Sequence, residues 1–285
     1  MPEGRGLRRR ELMKSSKETV EKSIQKKIEN LLRNLEEREI EPEPRLMGWS
    51  EDERVMPTDF LRTSLFKVEK KGRRRKYYVN ERIAALGNLE VYFSGEELQQ
   101  NDLDVFLNVL HLARGSDTSN EIIFSANSLH KQLGKKNNCD KKSKETIKRS
   151  LERLSSARIK ICTSRGWYIG SLLDDAIWDE GRKSFKVRIN PRFAALLRNG
   201  FTKVEWKKRL EIDDGFSKWL YSFVSSYNSS HPLNLETMML LSGTSDQQKR
   251  RFKTKLRKSF EVLIQLGVLK NFKIEKEKIY FERRV

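Results

Sequence analysis

The sequence predicts an α+β fold made of two related domains, and three observations support this prediction. Between residues 233 and 284, a short apolar helix, a glycine-containing turn, a basic amphipathic helix and a two-stranded hairpin are predicted in that order. The same order is predicted upstream, within residues 122–189. The chain also carries a net charge of +19, which suits domains that expose a basic helix. We therefore predict two tandem winged-helix domains, preceded by a helical and partly flexible N-terminal extension.

The basic helix near the C-terminus is predicted from its apolar residues, which recur at steps of three and four. These residues are Phe252, Leu256, Phe260, Leu263 and Ile264. Ser245 is the expected N-terminal cap, and Gly267 is expected to end the helix because a C-terminal cap favours a left-handed conformation. Residues 268–275 and 278–284 place isolated apolar side chains among charges, which predicts a hairpin that turns at Lys276-Glu277.

A short helix over Leu233–Leu241 and the turn Ser242–Ser245 precede this basic helix, so together they predict a helix-turn-helix. The second helix of that motif enters the major groove, and we predict double-stranded DNA as the partner. The alternative is a solvated surface helix, as charged runs often are. The candidates for base edges are Gln247, Arg250, Arg251 and Thr254. The candidates for phosphates are Lys249, Lys253, Arg257 and Lys258.

The upstream copy is centred on a long helix predicted over residues 141–156, with an apolar stripe of Ile147, Leu151 and Leu154. Strands are predicted at 158–163, 167–178 and 184–189, and SLERLSSARIKI (150–161) matches SFEVLIQLGVLK (259–270) in pattern. We predict that the far face of this helix and the basic turn before it contact the DNA backbone or a neighbouring groove. The residues concerned are Lys135, Lys136, Lys142, Thr146, Arg149 and Arg153.

The 285 residues suffice for about two domains of ordinary size. We place residues 1–55 in a charged helical arm with an acidic, proline-containing linker, 56–199 in the first winged-helix domain and 200–285 in the second, which would read the DNA sequence. The arm's helix is predicted over residues 17–39. Early in the first domain we expect a basic turn at Gly72–Lys76, strands at 77–79 and 89–93, and a helix around residues 103–111.

The charge restricts the possible partners. A net charge of +19 with an isoelectric point near 9.9 requires a polyanion or a membrane surface nearby. No apolar run approaches the roughly 18 residues of a membrane span, and the Lys/Glu faces of the N-terminal helix argue against membrane binding. The residues after Arg8–Arg10 predict a polar helix and not the apolar region of a signal peptide, so we do not expect secretion. Cys139 and Cys162 cannot form a disulfide framework or a zinc site by themselves, so we expect a reducing cytosol and no cofactor.

An enzyme is the rival class, and the residues give it little support. The best acidic cluster, Asp174-Asp175 with Asp179-Glu180, is expected in a turn between hairpin strands, where acidic residues are common. His111, His130 and His231 lack a paired nucleophile or ligand spacing, and the phosphate-binding motif G-x-x-x-x-G-K-[ST] does not occur. Four tryptophans could stack on melted bases, but each lies in an apolar pattern that favours the core: Trp167, Trp178, Trp206 and Trp219.

Residues 201–243 (FTKVEWKKRLEIDDGFSKWLYSFVSSYNSSHPLNLETMMLLSG) resemble the plasmid replication initiators of the TrfA family. MPTDFLRTSLF (56–66), LHKQLG (129–134) and LERLSSARI (151–159) resemble the first domain of the same family. The resemblance implies two winged-helix domains that bind directly repeated origin sequences (iterons) and open an adjacent A+T-rich region. It also implies recruitment of host replication proteins, such as helicase and initiator, and a dimer–monomer equilibrium.

The sequence departs from the family in one stretch. Family members can carry a glutamine-leucine-hydrophobic-phenylalanine type peptide that docks on the host sliding clamp, but Glu41–Trp49 (EPEPRLMGW) lacks that pattern. We therefore do not expect clamp binding by that route. Without an ATP-binding motif, DNA opening would depend on binding energy, and melted single-stranded DNA would be a further partner in the bacterial cytoplasm. The alternative function is a tandem winged-helix transcriptional regulator, because it too reads repeated duplex sites.

Overall fold

A computed structural model describes the chain from residue 46 to residue 284, with short gaps. The described residues are 46, 48–68, 72–87, 89–117, 121–163, 166–197, 200–229 and 231–284. The helix predicted over residues 17–39 and the acidic linker after it lie outside the described residues.

Short elements precede the helices of the first winged-helix domain. In chain order they are β1 (Glu53–Pro57), α1 (Thr58–Leu61), β2 (Phe66–Lys67), β3 (Tyr77–Ile83), β4 (Glu90–Glu96) and β5 (Leu98–Gln99). The strands predicted at 77–79 and 89–93 are confirmed as β3 and β4, which pair antiparallel. Strand β4 alternates buried and half-buried residues, as expected for a sheet with one face on the core.

The first winged-helix domain follows. In chain order its elements are α2 (Gln100–Leu112), β6 (Ile122–Ser125), α3 (Ala126–Gln132), α4 (Lys141–Ser156), β7 (Arg158–Thr163), β8 (Gly166–Gly170), β9 (Leu173–Asp179) and β10 (Ser184–Ile189). Helix α4 buries Ile147, Leu151 and Leu154, which confirms the predicted stripe. Strands β9 and β10 form the hairpin of the wing, and β10 lies between β9 and β6. Helix α4 packs mainly on α2 and β9, and Lys142, Thr146 and Arg149 on its other side are exposed.

The arrangement of strands β7 and β8 differs from the prediction. The strand predicted over residues 167–178 is wrong as a single strand, because its residues belong to β8 and β9, which lie in different sheets. The buried Leu172 lies in the short link between β8 and β9. Strands β7 and β8 extend the β3-β4 hairpin into the sheet β3-β4-β7-β8 instead of joining the wing.

The second winged-helix domain repeats the topology of the first. The remaining elements are α5 (Pro191–Leu196), β11 (Phe201–Glu205), α6 (Trp206–Leu210), α7 (Gly215–Ser226), β12 (Leu233–Asn234), α8 (Leu235–Ser242), α9 (Lys249–Gln265), β13 (Leu269–Glu275) and β14 (Lys278–Arg283). The strand order β12-β14-β13 matches β6-β10-β9, which confirms the α+β class and the tandem winged-helix fold. The match of 150–161 with 259–270 therefore aligns the wrong strands, because β9, and not β7, occupies the place of β13.

The start of α8 differs from the prediction. Leu233 and Asn234 are predicted to be helical, but they form β12, because Leu233 pairs with Ile279 of the wing. Asn234 then caps the helix, and its side-chain oxygen accepts a hydrogen bond from the Glu236 N–H at 2.8 Å. A residue that ends a strand thus also begins the helix-turn-helix.

The other helix ends follow ordinary capping rules, with one further correction. Asp214 caps α7 by accepting from the Ser217 N–H at 2.9 Å. Helix α9 begins at Lys249, so Ser245 is not its cap as predicted. Gly267 ends α9 with a φ of 66°, the left-handed conformation expected there. Among the described helices, none is long and apolar enough to cross a membrane.

A buried network of charged groups joins the two domains. Arg209 of α6 is 0% exposed, and its Nε donates to Oδ1 of Asp104 on α2 at 2.6 Å. Its other nitrogens donate to Ser222 Oγ at 2.7 Å and to Gln100 Oε1 at 3.1 Å. Lys218 of α7 donates to the second oxygen of Asp104 at 2.7 Å. The network therefore fixes α2 against α6 and α7, which the predicted boundaries assign to the first and the second domain respectively.

The strands on either side of the first domain pair with each other. Strand β1 runs antiparallel to β11, with Glu53 opposite Glu205 and Pro57 opposite Phe201. The sheet therefore joins the regions where residues 56 and 200 are predicted to bound the first domain, and those boundaries remain predictions.

The histidines occupy core and surface positions, as predicted. His111 and His130 are buried, and His231 is exposed. His111 is only 2% exposed at the end of α2, where its Nδ1 accepts a hydrogen bond from Trp49 Nε1 at 3.1 Å. Its Nε2 lies 3.1 Å from Glu51 Oε2, and Arg114 also pairs with Glu51. The neutral imidazole therefore links the start of the described chain to α2.

His111 should make the stability of the protein depend on pH. Burial, and then the nearby charge of Arg54, lower the pKa of His111 from 6.5 to about 4. Between these values the unfolded state binds the proton and the folded state does not, so stability falls as pH drops through this range. The loss should reach about 3 kcal/mol at most. Denaturant unfolding between pH 7 and 4.5 should show a shallower pH dependence for His111→Gln than for the wild type, and equal slopes would contradict this assignment.

Candidate nucleic-acid interface

Helix α9 exposes the basic residues that the sequence predicts on its outer face. The helix buries Phe252, Leu256, Phe260 and Leu263 against the core. The residues exposed on α9 or just before it are Gln247, Lys249, Arg250, Arg251, Thr254, Arg257 and Lys258, and Lys253 is half-buried. Because α9 is the second helix of the helix-turn-helix, its exposed N-terminal half has the position from which such helices enter a major groove.

Two of the predicted phosphate contacts already have partners within the protein. Lys249 Nζ lies 2.5 Å from Glu236 Oε1 of α8 and 3.0 Å from Glu277 Oε1 of the wing turn. These hydrogen bonds, to Glu236 first, raise the pKa of Lys249. Lys253 Nζ donates to the backbone oxygen of Lys276 at 2.9 Å. The two lysines thus hold the wing turn beside α9, and their predicted role at phosphates stays a prediction.

Helix α4 has the same topological place in the first domain as α9 in the second, and we call the two the recognition helices. Asp140 caps α4 by accepting from the Ser143 N–H at 2.7 Å. On α4 and in the turn before it, the predicted residues that are exposed are Lys135, Lys136, Lys142, Thr146 and Arg149. Arg149 lies 3.1 Å from Glu145, in an exposed pair that costs little to separate.

Arg153 is the exception, and its predicted place on the exposed face is wrong. It is 7% exposed, and its Nη2 donates to Asp102 Oδ1 at 2.8 Å. Ser150 Oγ donates to the same oxygen at 2.7 Å. Asp102 was not predicted as a partner of α4, and its one sequence signal is its capping-box position, where it accepts from the Gln99 N–H at 2.8 Å. Arg153 therefore holds α4 on α2 and does not lie on the exposed face of α4.

The acidic cluster of the first wing forms ion pairs. Asp174, Asp175 and Asp179 lie within β9 and not, as predicted, in a turn between strands. Arg188 pairs with Asp175, and Lys186 Nζ lies 3.6 Å from Asp179 Oδ2. In the part of the chain that the structure describes, no group of three or more His, Cys, Asp or Glu residues could hold a metal ion.

The tryptophans divide between core and surface. Trp206 and Trp219 are buried as predicted, and Trp178 is partly buried against the core. Trp167 is 65% exposed, so its predicted place in the core is wrong. It lies opposite Cys162 of β7, on the outward side of a strand that buries alternate residues. The alternation of residues 158–162 was the signal that could have placed Trp167 outside.

Comparison with known proteins relates this arrangement to one family. The family model described as "TrfA protein" matches residues 10–283. The chain is 23% identical over 243 residues to the plasmid replication initiator protein TrfA of Escherichia coli, and the match covers 82% of this chain and 63% of the relative. The chain thus matches less than two thirds of that relative's length.

Two solved structures resemble the fold. Domains 2 and 3 of RctB match with a TM-score of 0.55 and 15% identity, over 81% of this chain and 99% of that one. The Pi initiator protein in complex with iteron DNA matches with a TM-score of 0.47 and 12% identity, over 65% of this chain and 94% of that one. The likeness to RctB supports the fold alone. Because the family model extends over nearly the whole sequence, the chain belongs to the TrfA family.

Proposed function

We propose that this protein is a plasmid replication initiator that binds directly repeated origin sequences through both winged-helix domains. The observation that carries the proposal is the equivalent placement of α4 and α9, each with an exposed basic face, in two domains of one topology. The buried Arg209–Asp104 pair supports a fixed separation between these helices. Two recognition helices at a fixed separation suit two neighbouring major-groove segments of one duplex.

Within this proposal the two helices have different tasks. Gln247, Arg250, Arg251 and Thr254 would meet base edges, because arginine matches guanine and glutamine matches adenine. The other exposed cations of α9 and α4 would meet phosphates, which supply affinity but little sequence preference. The net charge of +19 suits such a backbone-dominated contact.

DNA opening would use binding energy and no ATP. The sequence lacks the G-x-x-x-x-G-K-[ST] motif of ATPases, so a second, A+T-rich segment would be opened by bending and unstacking driven by protein contacts. Melted single strands, host replication proteins and a second copy of the chain would then be further partners in the bacterial cytoplasm. Membership of the TrfA family and the name of the E. coli relative support a role in plasmid replication initiation, and the opening step and these partners extend that role.

A footprint and melting assay on the origin of the replicon that encodes this chain tests the proposal. Purified protein, without ATP, should protect evenly spaced direct repeats and make bases in a flanking A+T-rich tract reactive to a reagent for unpaired bases. The matched DNA control has the repeats shuffled and the A+T-rich tract intact. Protection of a promoter operator without any melting would instead favour a transcriptional regulator.

The contribution of the first domain can be measured separately. Lys142→Ala with Arg149→Ala should weaken binding and reduce the slope of log affinity against log salt by about 1.8, because each lost phosphate contact removes about 0.9. The preference for repeat over shuffled DNA should persist, since phosphate contacts carry little sequence information. Binding isotherms at several salt concentrations give the slope, and an unaltered slope would remove α4 from the DNA.

A further inference from the structure

We propose that the segment Gly72–Lys76, here called the basic segment, is a third DNA-contacting element that binds phosphates between the duplex segments met by α4 and α9. Its sequence is Gly-Arg-Arg-Arg-Lys, and it connects β2 to β3 outside both helix-turn-helix units. The inference rests on the proposed function, because it presumes that both recognition helices approach one duplex.

The residues just before the basic segment contact the helix-turn-helix of the second domain. Just upstream of the basic segment, the Val68 N–H donates to the backbone oxygen of Ser242, the last residue of α8, at 2.9 Å. Gly243, in the turn after α8, lies so close that a β-carbon there would be 2.6 Å from Lys67 Cγ. Val68 also lines a cleft together with Lys255 and Lys258 of α9. One end of the connection is therefore beside the second recognition helix.

The other end is fixed to the first recognition helix through a shared carboxylate. Arg75 Nη1 donates to Asp102 Oδ2 at 2.6 Å, and Arg75 also bonds the Glu97 backbone oxygen and Asn101. The second oxygen of the same carboxylate holds Arg153 of α4. Asp102 is 0% exposed, so this anchor is part of the core and not a surface pair. The basic segment is thus held in place by one inward arginine.

The neighbours of that arginine face outward. Arg74 and Lys76 are exposed, on either side of the half-buried Arg75. Their charges have no ion-pair partner among the described residues. Arg75 and Arg149 border the same cleft, beside the exposed face of α4. The basic segment thus exposes two cations without ion-pair partners, and the chain around them contacts the second helix-turn-helix at Val68 and the first recognition helix through Arg75 and Asp102.

This placement predicts what the basic segment does. Cations fixed by an anchored backbone meet phosphates with less loss of side-chain and loop freedom than a mobile arm does. Contacts there would carry no sequence preference, but they would hold the middle of the site against the protein. The basic segment would then set the path of the DNA between the two recognition helices.

The test removes both outward charges and keeps the anchor. Arg74→Gln with Lys76→Gln should weaken binding to a duplex carrying one origin repeat roughly tenfold or more at 0.1 M salt and reduce the salt slope by about 1.8. Preference over a shuffled duplex should stay unchanged. Hydroxyl-radical footprints should lose protection in the middle of the site and keep it at both ends.

The control for charge number is Lys203→Gln with Lys207→Gln, which removes two exposed cations of β11 and α6 that pair with Glu53 and Asp52. If the basic-segment variant has the wild-type slope and footprint, or only the small change of the control, the inference is wrong. Thermal unfolding of both variants should match the wild type, which separates lost contact from lost structure. If the wild type itself does not prefer the repeat, the proposed function fails, whereas the change in salt slope still reports whether the basic segment contacts phosphates.

Discussion

Replacing Arg250 and Arg251 with alanine should abolish site-specific DNA binding and leave the fold intact. Both side chains are exposed near the start of α9, opposite the buried stripe that packs Phe252 and Leu256 into the core. A good arginine contact with a base edge contributes about 1–3 kcal/mol of discrimination. Losing both corresponds to a drop in preference between roughly 30-fold and more than 10,000-fold.

The measurement is the ratio of affinities for repeat and shuffled duplexes at a single fixed salt concentration. Arg257→Ala is the matched control, because it removes one arginine from the same helix at a position we assign to phosphate. The control should weaken both affinities alike and lower the salt slope by about 0.9. An unchanged repeat footprint for the Arg250/Arg251 variant would show that other residues read the bases.

The second large effect concerns the junction of the domains. Arg209→Ala should lower the free energy of unfolding by about 3–5 kcal/mol, because it leaves the buried carboxylate of Asp104 without its closest partner. Arg209 is 0% exposed, and its hydrogen bonds reach three side chains from both domains. A loss of this size is a large part of the stability of an ordinary domain.

Denaturant unfolding of the full chain measures this loss. Lys208→Ala is the control on the same helix, since Lys208 forms an exposed pair with Glu205 at 2.8 Å and its removal should cost under about 1 kcal/mol. The double variant Arg209→Met with Asp104→Leu should lose less than Arg209→Ala, because it removes both members of the most deeply buried charge pair. Only Lys218, whose side chain is partly exposed, then loses its carboxylate partner. A loss below about 1 kcal/mol for Arg209→Ala would mean that water or a shifted side chain replaces the arginine.

The elements with strong local patterns could be predicted from the sequence. The stripe of α9 and the hairpin after it depend on spacing along one stretch of chain. The structure buries the predicted stripe residues Phe252, Leu256, Phe260 and Leu263 and has the hairpin strands within a residue of the expected bounds. The exposed faces of both recognition helices follow from the same spacing, because residues opposite a buried stripe face solvent. This part of the candidate site could therefore be predicted without knowing which residues distant in sequence contact each other.

What could not be predicted depends on partners far away in sequence. Arg153 lies at the edge of the apolar stripe of α4, and only the carboxylate of Asp102, on another helix, draws it into the core. Strand β7 has the same local pattern as a wing strand, and its pairing with β4 decides its sheet. The exposure of Trp167 likewise depends on which face of that sheet the core covers. The positions of the basic segment and of Arg209 also depend on contacts with residues distant in sequence.

The pairing of β1 with β11 has a consequence for how the protein is made. Strand β1 leaves the ribosome before any other described strand, but its partner, Phe201–Glu205, is synthesised only after the whole first winged-helix domain. Closing so long a loop is slow compared with forming local contacts, because the chain must first lose the entropy of the intervening segment. The nascent first domain therefore keeps an unpaired strand until synthesis of the second has begun. During that interval the strand is open to pairing with another nascent chain, and chaperones that cover strand edges would act there.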